Sequence, residues 1–133
     1  VWEYNKGIKI NDENIQDALK LRDGCNEEVD KIFQNYDFLA LPSQQVFPFE
    51  KNLQYPNQIN NEKLDTYHRW IEVHILSSLL YLPTINVPVG FNKDGLPIGM
   101  QIIGKKYEDL KVLAFAKKYE EIFEHSKIRP NLN

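Results

Sequence analysis

Two β-strands are predicted in the C-terminal third of the chain. The runs 84–89 and 98–103 are rich in β-branched and other apolar residues, a composition typical of strands. Between them, Asp94-Gly95 is a step that tolerates a positive φ and can reverse the chain direction. Pro88 has no backbone N–H to donate, so it should lie at an edge, a strand end or a bulge. The segment predicts a hairpin or two adjacent antiparallel strands.

Three other segments have helical spacing. Apolar residues recur at steps of three and four from Ile15 to Phe33, where Asp12 is placed to cap the first turn, and again over 110–123. Residues 65–80 are apolar nearly all round, which predicts a helix buried on several sides. Cys25 shares the spacing of the first helix, where a buried, unreactive thiol is expected.

A further short strand and a long loop complete the predicted fold. Residues 37–42 form an apolar run stopped by Pro42, which fits a buried strand. Residues 43–63 turn to Gln, Asn and Pro, and a loop of that length is usually functional or covered by something else. The order of elements predicts an α/β fold with helices packed on a small mixed β-sheet that contains an antiparallel strand pair. We expect residues 1–133 to form a single unit.

Charge and cysteine content argue against several classes of partner. The formal charge is −3, with basic and acidic residues interspersed, so neither nucleic acid nor a membrane surface is expected as a partner. The apolar run 75–82 is too short to span a bilayer, and the first residues do not resemble a secretory signal. Cys25 is the only cysteine, which favours a reducing, cytoplasmic location.

No residue pattern in the chain predicts catalysis. His68 and His74 are six residues apart, so on one helix they could not face the same metal ion. Ser77-Ser78 has no flanking glycines, and hydroxyls in mid-helix usually bond back to the preceding turn or allow close packing. We therefore predict no catalytic residue and no metal site in this chain.

Four segments carry a resemblance to a known family. They are Tyr36–Pro42, Tyr67–Trp70, Pro83–Phe91 and Asp94–Gly104, which includes Asp94-Gly95-Leu96-Pro97 and Gly99-Met100-Gln101. In order, spacing and identity they resemble the C-terminal region of amidase-signature enzymes, over roughly residues 13–124. The helix around Tyr67–Trp70 is more similar to stand-alone amidases than to the A subunit of the tRNA-dependent amidotransferase. One departure is Tyr81, where the family usually has a glycine.

The resemblance implies an activity whose catalytic residues are missing from this chain. Amidase-signature enzymes cleave carboxamides with a serine nucleophile, a second serine in a cis peptide and a lysine base, without metal or cofactor. Those residues belong to a Gly-Ser-rich signature upstream of the matched region, and no such run occurs here. Whether the chain is an enzyme by itself is left open, and no catalytic role transfers to any of its residues.

The matched region implies a place in the substrate pocket. In the family it completes the sheet and forms part of the pocket wall. By position Tyr67, Trp70, Ile71 and Gly90, with the loop after Pro42, could face that pocket, and ordinary core packing is the alternative for each aromatic residue.

We therefore expect the C-terminal fragment of an amidase, acting on a small amide substrate only within the complete enzyme. The alternative is a non-catalytic binding or scaffold module that reuses this fold. The expected partner is the N-terminal catalytic half or a second copy of the chain. A truncated gene product, one half of a split gene and an excised piece all remain open as origins.

Overall fold

The computed structural model describes residues 2–129, and its backbone contacts divide the chain into two units, residues 1–35 and 36–133. Each unit is described by itself. The expectation of a single unit over 1–133 stays a prediction. No helix within residues 2–129 is both long enough and apolar enough to cross a membrane.

The first unit contains two helices. Helix α1 is Trp2–Gly7 and helix α2 is Asp12–Ile32, which confirms the predicted long helix. The cap is Asn11 rather than the predicted Asp12: the Asn11 side chain accepts from the Asn14 N–H at 2.9 Å, and the Asn14 side chain accepts from the Asn11 N–H. This reciprocal pair satisfies two N–H groups that a helix start leaves without partners.

Cys25 lies exposed on α2, so the prediction of a buried thiol is wrong. Within the described part of this unit the other helix, α1, has six residues against 21 in α2. At about 1.5 Å per residue, α1 is too short to cover the face of α2 that the spacing identified. Val29 is the buried residue of α2.

The second unit is built on a three-stranded sheet. Its strands are β1 (Phe38–Pro42), β4 (Thr84–Phe91) and β5 (Pro97–Gly104), in the order β1-β5-β4. Both pairings are antiparallel. The predicted α/β class and the antiparallel pair are confirmed, whereas the expected mixed sheet is corrected, because β5 runs opposite to both of its neighbours.

The β4–β5 connection follows the sequence closely. Asn92 Oδ1 accepts from the N–H groups of Asp94 and Leu96, both at 2.9 Å, and Gly95 adopts φ 77°. A residue with a Cβ would be strained at that φ, which explains the Asp-Gly step. Pro88 lies at a bulge of the edge strand β4, as predicted.

Helix α5 (Asp109–Phe123) covers one face of this sheet. Val112 and Ala116 of α5 pack with Val87 and Ile102 in the buried core. The contact is close at Gly104, where an added Cβ would overlap Val112 Cγ2. The predicted C-terminal helix is therefore confirmed, and Gly104 allows the close approach of the helix to β5.

Residues 43–83, called here the excursion, lie between β1 and β4. The predicted irregular loop over 43–63 is largely confirmed, but it contains a short hairpin of β2 (Gln58–Ile59) and β3 (Glu62–Lys63). Asn60 and Asn61 turn this hairpin with φ 50° and 67°. Asparagine adopts that conformation more readily than other residues with a Cβ, so the Asn-Asn pair was the signal for the turn.

The single buried helix predicted over 65–80 is wrong. The segment is divided into α3 (Tyr67–Trp70), a 3₁₀ turn (Glu72–His74) and α4 (Ile75–Leu79). In a continuous helix the carbonyls of Arg69 and Val73 would accept hydrogen bonds from backbone N–H groups. Here they accept hydrogen bonds from side chains instead: Arg69 O from Gln45 Nε2, and Val73 O from Gln101 Nε2. Tertiary hydrogen bonds thus replace the helical ones.

Candidate functional site

A cavity of about 370 Å³ lies between the start of the excursion and the two C-terminal strands. Its wall consists of residues 43–49 except Gln45, of Trp70, of residues 86–88 in β4 and of residues 97–99 in β5. None of these residues is charged. The volume lies at the lower end of the range of about 300–1,000 Å³ that is usual for small-molecule sites.

The structure places one of the four predicted pocket residues in this wall. Trp70 lines the cavity, as does the loop after Pro42. Tyr67 lies behind Trp70 and is half exposed, and Ile71 is half-buried at the end of α3. Gly90 lies at the β4 bulge with φ 145°, outside the wall. A pocket role for Tyr67, Ile71 and Gly90 stays a prediction.

An aromatic series holds the Trp70 ring. The Phe49 and Trp70 rings meet edge to face with their centroids 5.5 Å apart, and the Tyr67 and Trp70 rings do so with their centroids 6.1 Å apart. Tyr55 continues the series at 6.0 Å from Tyr67. Edge-to-face contacts are favourable beyond the burial of area alone, so two ring contacts stabilise the orientation of the Trp70 side chain.

Ser43 and Gly99 join the excursion to the floor of the cavity. The Ser43 N–H donates to Gly99 O at 2.9 Å, and the Gly99 N–H donates to Ser43 Oγ at 3.1 Å. A Cβ on residue 99 would lie 2.9 Å from Ser43 Oγ and 3.1 Å from Val87 O. The floor therefore needs glycine, because a side chain there would push the loop away from β5.

Gln44 contributes the most constrained polar side chain of the wall. Its Nε2 lies 3.1 Å from His74 Nε2. An amide nitrogen only donates, so this contact is a hydrogen bond when His74 Nε2 is the acceptor. Gln44 Oε1 and Trp70 Nε1 are both buried and have no hydrogen-bond partner among the described residues, which marks this wall as incomplete in its polar contacts.

The candidate catalytic groups do not assemble. Ser77 Oγ donates to the backbone oxygen of His74 at 3.2 Å, the back-bonding expected of a serine within a helix. No cluster of three or more metal-ligating side chains occurs within residues 2–129. The pKa of Lys111 is raised by its hydrogen bonds to Asp37 and then Glu108, which identifies an ion-paired surface lysine rather than a base.

Sequence reasoning found the segments of the cavity and Trp70, but not the polar side chains of the wall. Ser43, Gln44 and Asn86 were not singled out, because nothing in a single sequence says which residues of a loop or of an edge strand face a cavity. The one usable signal was Gly99: a glycine inside a strand often marks a close backbone approach, and its neighbour across that approach is Ser43.

The sequence of the chain, including the segments that form the cavity, is similar to known proteins. A family model described as Amidase matches residues 2–113. The chain is 34% identical over 115 residues to the A subunit of the glutamyl-tRNA(Gln) amidotransferase of Oceanobacillus iheyensis, covering 86% of this chain and 22% of that protein. It is 31% identical to the corresponding protein of Natranaerobius thermophilus, covering 85% and 22%. The chain thus spans about a fifth of the length of these relatives.

Solved structures give a consistent picture. The chain superposes on a bacterial aryl acylamidase of the amidase-signature enzymes with a TM-score of 0.82 at 28% identity, over 96% of this chain and 28% of that one. With the A subunit of the glutamyl-tRNA(Gln) amidotransferase from Thermotoga maritima the TM-score is 0.64 at 26% identity, over 83% and 23%. The sequence relatives are amidotransferase subunits, whereas the higher TM-score belongs to an acylamidase, so the predicted nearness to stand-alone amidases stays a prediction.

Proposed function

This chain belongs to the amidase family, and on that premise we propose that it supplies the C-terminal part of a carboxamide hydrolase. In this proposal the sheet β1-β5-β4 is completed by strands of the catalytic part. The cavity beside Trp70 becomes one wall of the substrate pocket, and Tyr67, Ile71 and Gly90 lie near that wall. The nucleophile, the second serine and the lysine base come from a Gly-Ser-rich segment outside this chain.

The observation that carries the proposal is the composition of the cavity wall. The resemblance assigned the loop after Pro42, the helix with Trp70 and the strand ending at Gly90 to a substrate pocket. Residues from all three segments surround one uncharged cavity. Two buried polar atoms of that wall, Gln44 Oε1 and Trp70 Nε1, lack hydrogen-bond partners within residues 2–129, as expected where a further part of the protein or a substrate makes contact.

The chain by itself should have no amidase activity. A serine nucleophile needs an adjacent base and donors aimed at the developing oxyanion. Ser77 is buried and donates to a backbone carbonyl, and it has no lysine partner among the described hydrogen bonds. Catalysis therefore requires residues from a segment other than this one.

The test compares the chain alone with the chain co-expressed with the polypeptide encoded directly upstream. We expect ammonia release from simple carboxamides only when an upstream segment carrying the Ser-Ser-Lys residues co-purifies. Ser77→Ala and Ser78→Ala should leave the rate of that complex unchanged. Hydrolysis by the chain alone that either substitution abolishes would refute the proposal. A stable chain that binds an unrelated protein, with no amidase segment encoded upstream, would favour the scaffold alternative.

Partner and location follow from the same proposal. The relatives that match in sequence are named as subunits, and here we assign the partner role to the catalytic half or, failing that, to a second copy of this chain. A cytoplasmic location is proposed because Cys25 is the only cysteine and no internal disulfide can form.

A further inference from the structure

The cavity beside Trp70 has the properties of a site for a flat apolar group. Phe47, Phe49 and Trp70 contribute aromatic surface to the wall, and Pro48, Pro88 and Pro97 contribute further apolar surface. Trp70 makes edge-to-face contacts with both Phe49 and Tyr67. A ring that enters this cavity meets aromatic side chains that already have fixed orientations, so little conformational freedom is lost on binding.

The start of the excursion, which forms part of the cavity wall, is also held in place. The two hydrogen bonds between Ser43 and Gly99 hold the start of the excursion against β5. Proline at positions 48, 88 and 97 limits the backbone further, because its ring fixes φ. The cavity is therefore formed before any ligand arrives, which is usual for small-molecule sites.

The charge of the wall restricts the ligand to a neutral molecule. No lining residue is ionisable, and an ionised group placed there would lose water without gaining a countercharge. A zwitterion such as the amino acid glutamine would face that cost twice. A neutral ligand with a ring avoids the cost and gains the aromatic contacts.

Asn86 supplies a polar contact at the edge of the cavity. It lies on the edge strand β4, is exposed, and its side chain makes no hydrogen bond with the residues that the structure describes. A free carboxamide offers one acceptor and two donors at once, which matches the donor and acceptor of another carboxamide. Gln44 can offer only its acceptor Oε1, because its amide nitrogen is engaged with His74.

We propose that this cavity binds the ring of a small, neutral aromatic carboxamide whose amide group hydrogen-bonds Asn86. This inference rests on the proposed function and narrows its substrate class. It separates aromatic amides, which the wall accepts, from free glutamine, which the wall excludes.

The inference is tested by ligand binding to the full chain. The sequence has two tryptophans, so Trp2→Phe leaves Trp70 as the only tryptophan reporter for fluorescence titration. The probes are benzamide, cyclohexanecarboxamide, which keeps the amide but lacks the aromatic ring, and glutamine. Benzamide should bind about 2- to 10-fold more tightly than cyclohexanecarboxamide, the range that one aromatic pair provides. Glutamine should not saturate the signal. Equal binding of benzamide and glutamine, or no response to benzamide, would overturn the inference.

A second titration tests Asn86 separately from folding. Asn86→Ala should lower the affinity for benzamide by about 3- to 10-fold, which corresponds to the loss of one hydrogen bond. Methyl benzoate keeps the ring and lacks the N–H donors, so its affinity should fall by much less. Thr84→Ala, two residues away on the same strand and outside the cavity wall, is the control and should change neither affinity. An equal loss for both ligands in Asn86→Ala would show a structural effect and contradict the assigned contact.

These outcomes are distinct from those of the proposed function. If the complex hydrolyses aliphatic amides but the chain does not bind benzamide, the amidase proposal is supported and the aromatic pocket is refuted. If the chain binds benzamide as described but the complex has no amidase activity, the aromatic pocket is supported and the proposed function is refuted.

Discussion

At the scale of single residues, Tyr81 stands out because it occupies a position that suits glycine. Its φ is 55°, and its ring is 75% exposed. The Leu82 N–H donates to Ser77 O and the Tyr81 N–H to Ser78 O, which is the Schellman arrangement that ends a helix with a left-handed residue. The resemblance gave glycine as the usual residue here, and the backbone of this position supplies the physical reason.

Replacing Tyr81 by glycine should stabilise the chain. A left-handed conformation costs a residue with a Cβ about 1–2 kcal/mol, while glycine adds about 0.5–1 kcal/mol of unfolded-state entropy. We expect Tyr81→Gly to raise the free energy of unfolding by about 0.5–1 kcal/mol, measured by urea denaturation. Tyr81→Ala keeps the Cβ and removes the exposed ring, so it should not stabilise. Equal stabilisation by alanine and glycine would assign the effect to the ring instead.

At the scale of secondary-structure elements, Gln101 of β5 joins three segments of the second unit. Its side chain is 1% exposed, and Nε2 donates to Pro42 O at 3.0 Å and to Val73 O at 3.2 Å. One amide thus connects β5 with the end of β1 and with the 3₁₀ turn of the excursion. This connection helps to explain why residues 65–80 do not form the single helix that their apolar character predicts.

Removing the Gln101 amide should destabilise these connections. Gln101→Leu keeps the approximate volume and leaves two carbonyls without a donor, which should cost about 2 kcal/mol or more of unfolding free energy. Gln45→Leu is the matched control, since Gln45 Nε2 also donates to a carbonyl of the excursion, Arg69 O, at a solvent-exposed hydrogen bond. Water can replace that bond, so its loss should cost less than about 1 kcal/mol. Equal losses in chemical denaturation would refute the assigned role of Gln101.

The contact between α5 and the sheet makes a second prediction at this scale. An added Cβ at Gly104 would overlap Val112, whose side chain is buried and branched at Cβ, so it cannot rotate away freely. Gly104→Ala should lower the unfolding free energy by about 1–3 kcal/mol through overpacking.

A double-mutant cycle isolates that clash. Val112→Ala alone removes buried methyl groups and is destabilising, but in the Gly104→Ala background it also makes room for the new methyl group. The double variant should therefore lose less stability than the sum of the two single losses, by more than about 0.5 kcal/mol. Simple additivity would show that the clash is relieved in another way.

At the scale of the whole molecule, the second unit leaves much apolar surface exposed. Large apolar side chains with high exposure occur on the excursion and on α5, including Ile75, Leu79, Tyr81, Leu110 and Ile122. Where such side chains form a continuous patch, they usually belong to an interface. The fact that the chain spans about a fifth of its sequence relatives agrees with a proposed interface to the catalytic part.

The isolated chain should therefore self-associate. Sedimentation velocity is expected to show species larger than a monomer as the concentration rises, and co-expression with the upstream segment should suppress them. Leu110→Lys combined with Ile122→Lys should reduce self-association without changing the circular dichroism spectrum, because both side chains are exposed. A monomer at all concentrations would contradict the proposed interface.

The sequence alone determined the elements whose signals are local. The long helix over 12–32, the strands 84–91 and 97–104 with their Asp94-Gly95 turn, and the helix over 109–123 follow from periodicity and turn chemistry. The resemblance to amidase-signature enzymes is confirmed by the family model over residues 2–113. These helices, strands and turns depend mainly on residues that are close together in the sequence, so local sequence patterns are enough to predict them.

The tertiary structure decided what depends on residues far apart in the chain. Arg69 O and Val73 O accept from Gln45 and Gln101, so a segment with strong helical character is broken where no local signal predicts a break. Cys25 is exposed although its spacing suggested a buried face, because burial requires a second element to cover that face. The cavity brings together residues 43–49, 70, 86–88 and 97–99, and their proximity exists only after the strands pair and the excursion packs on them.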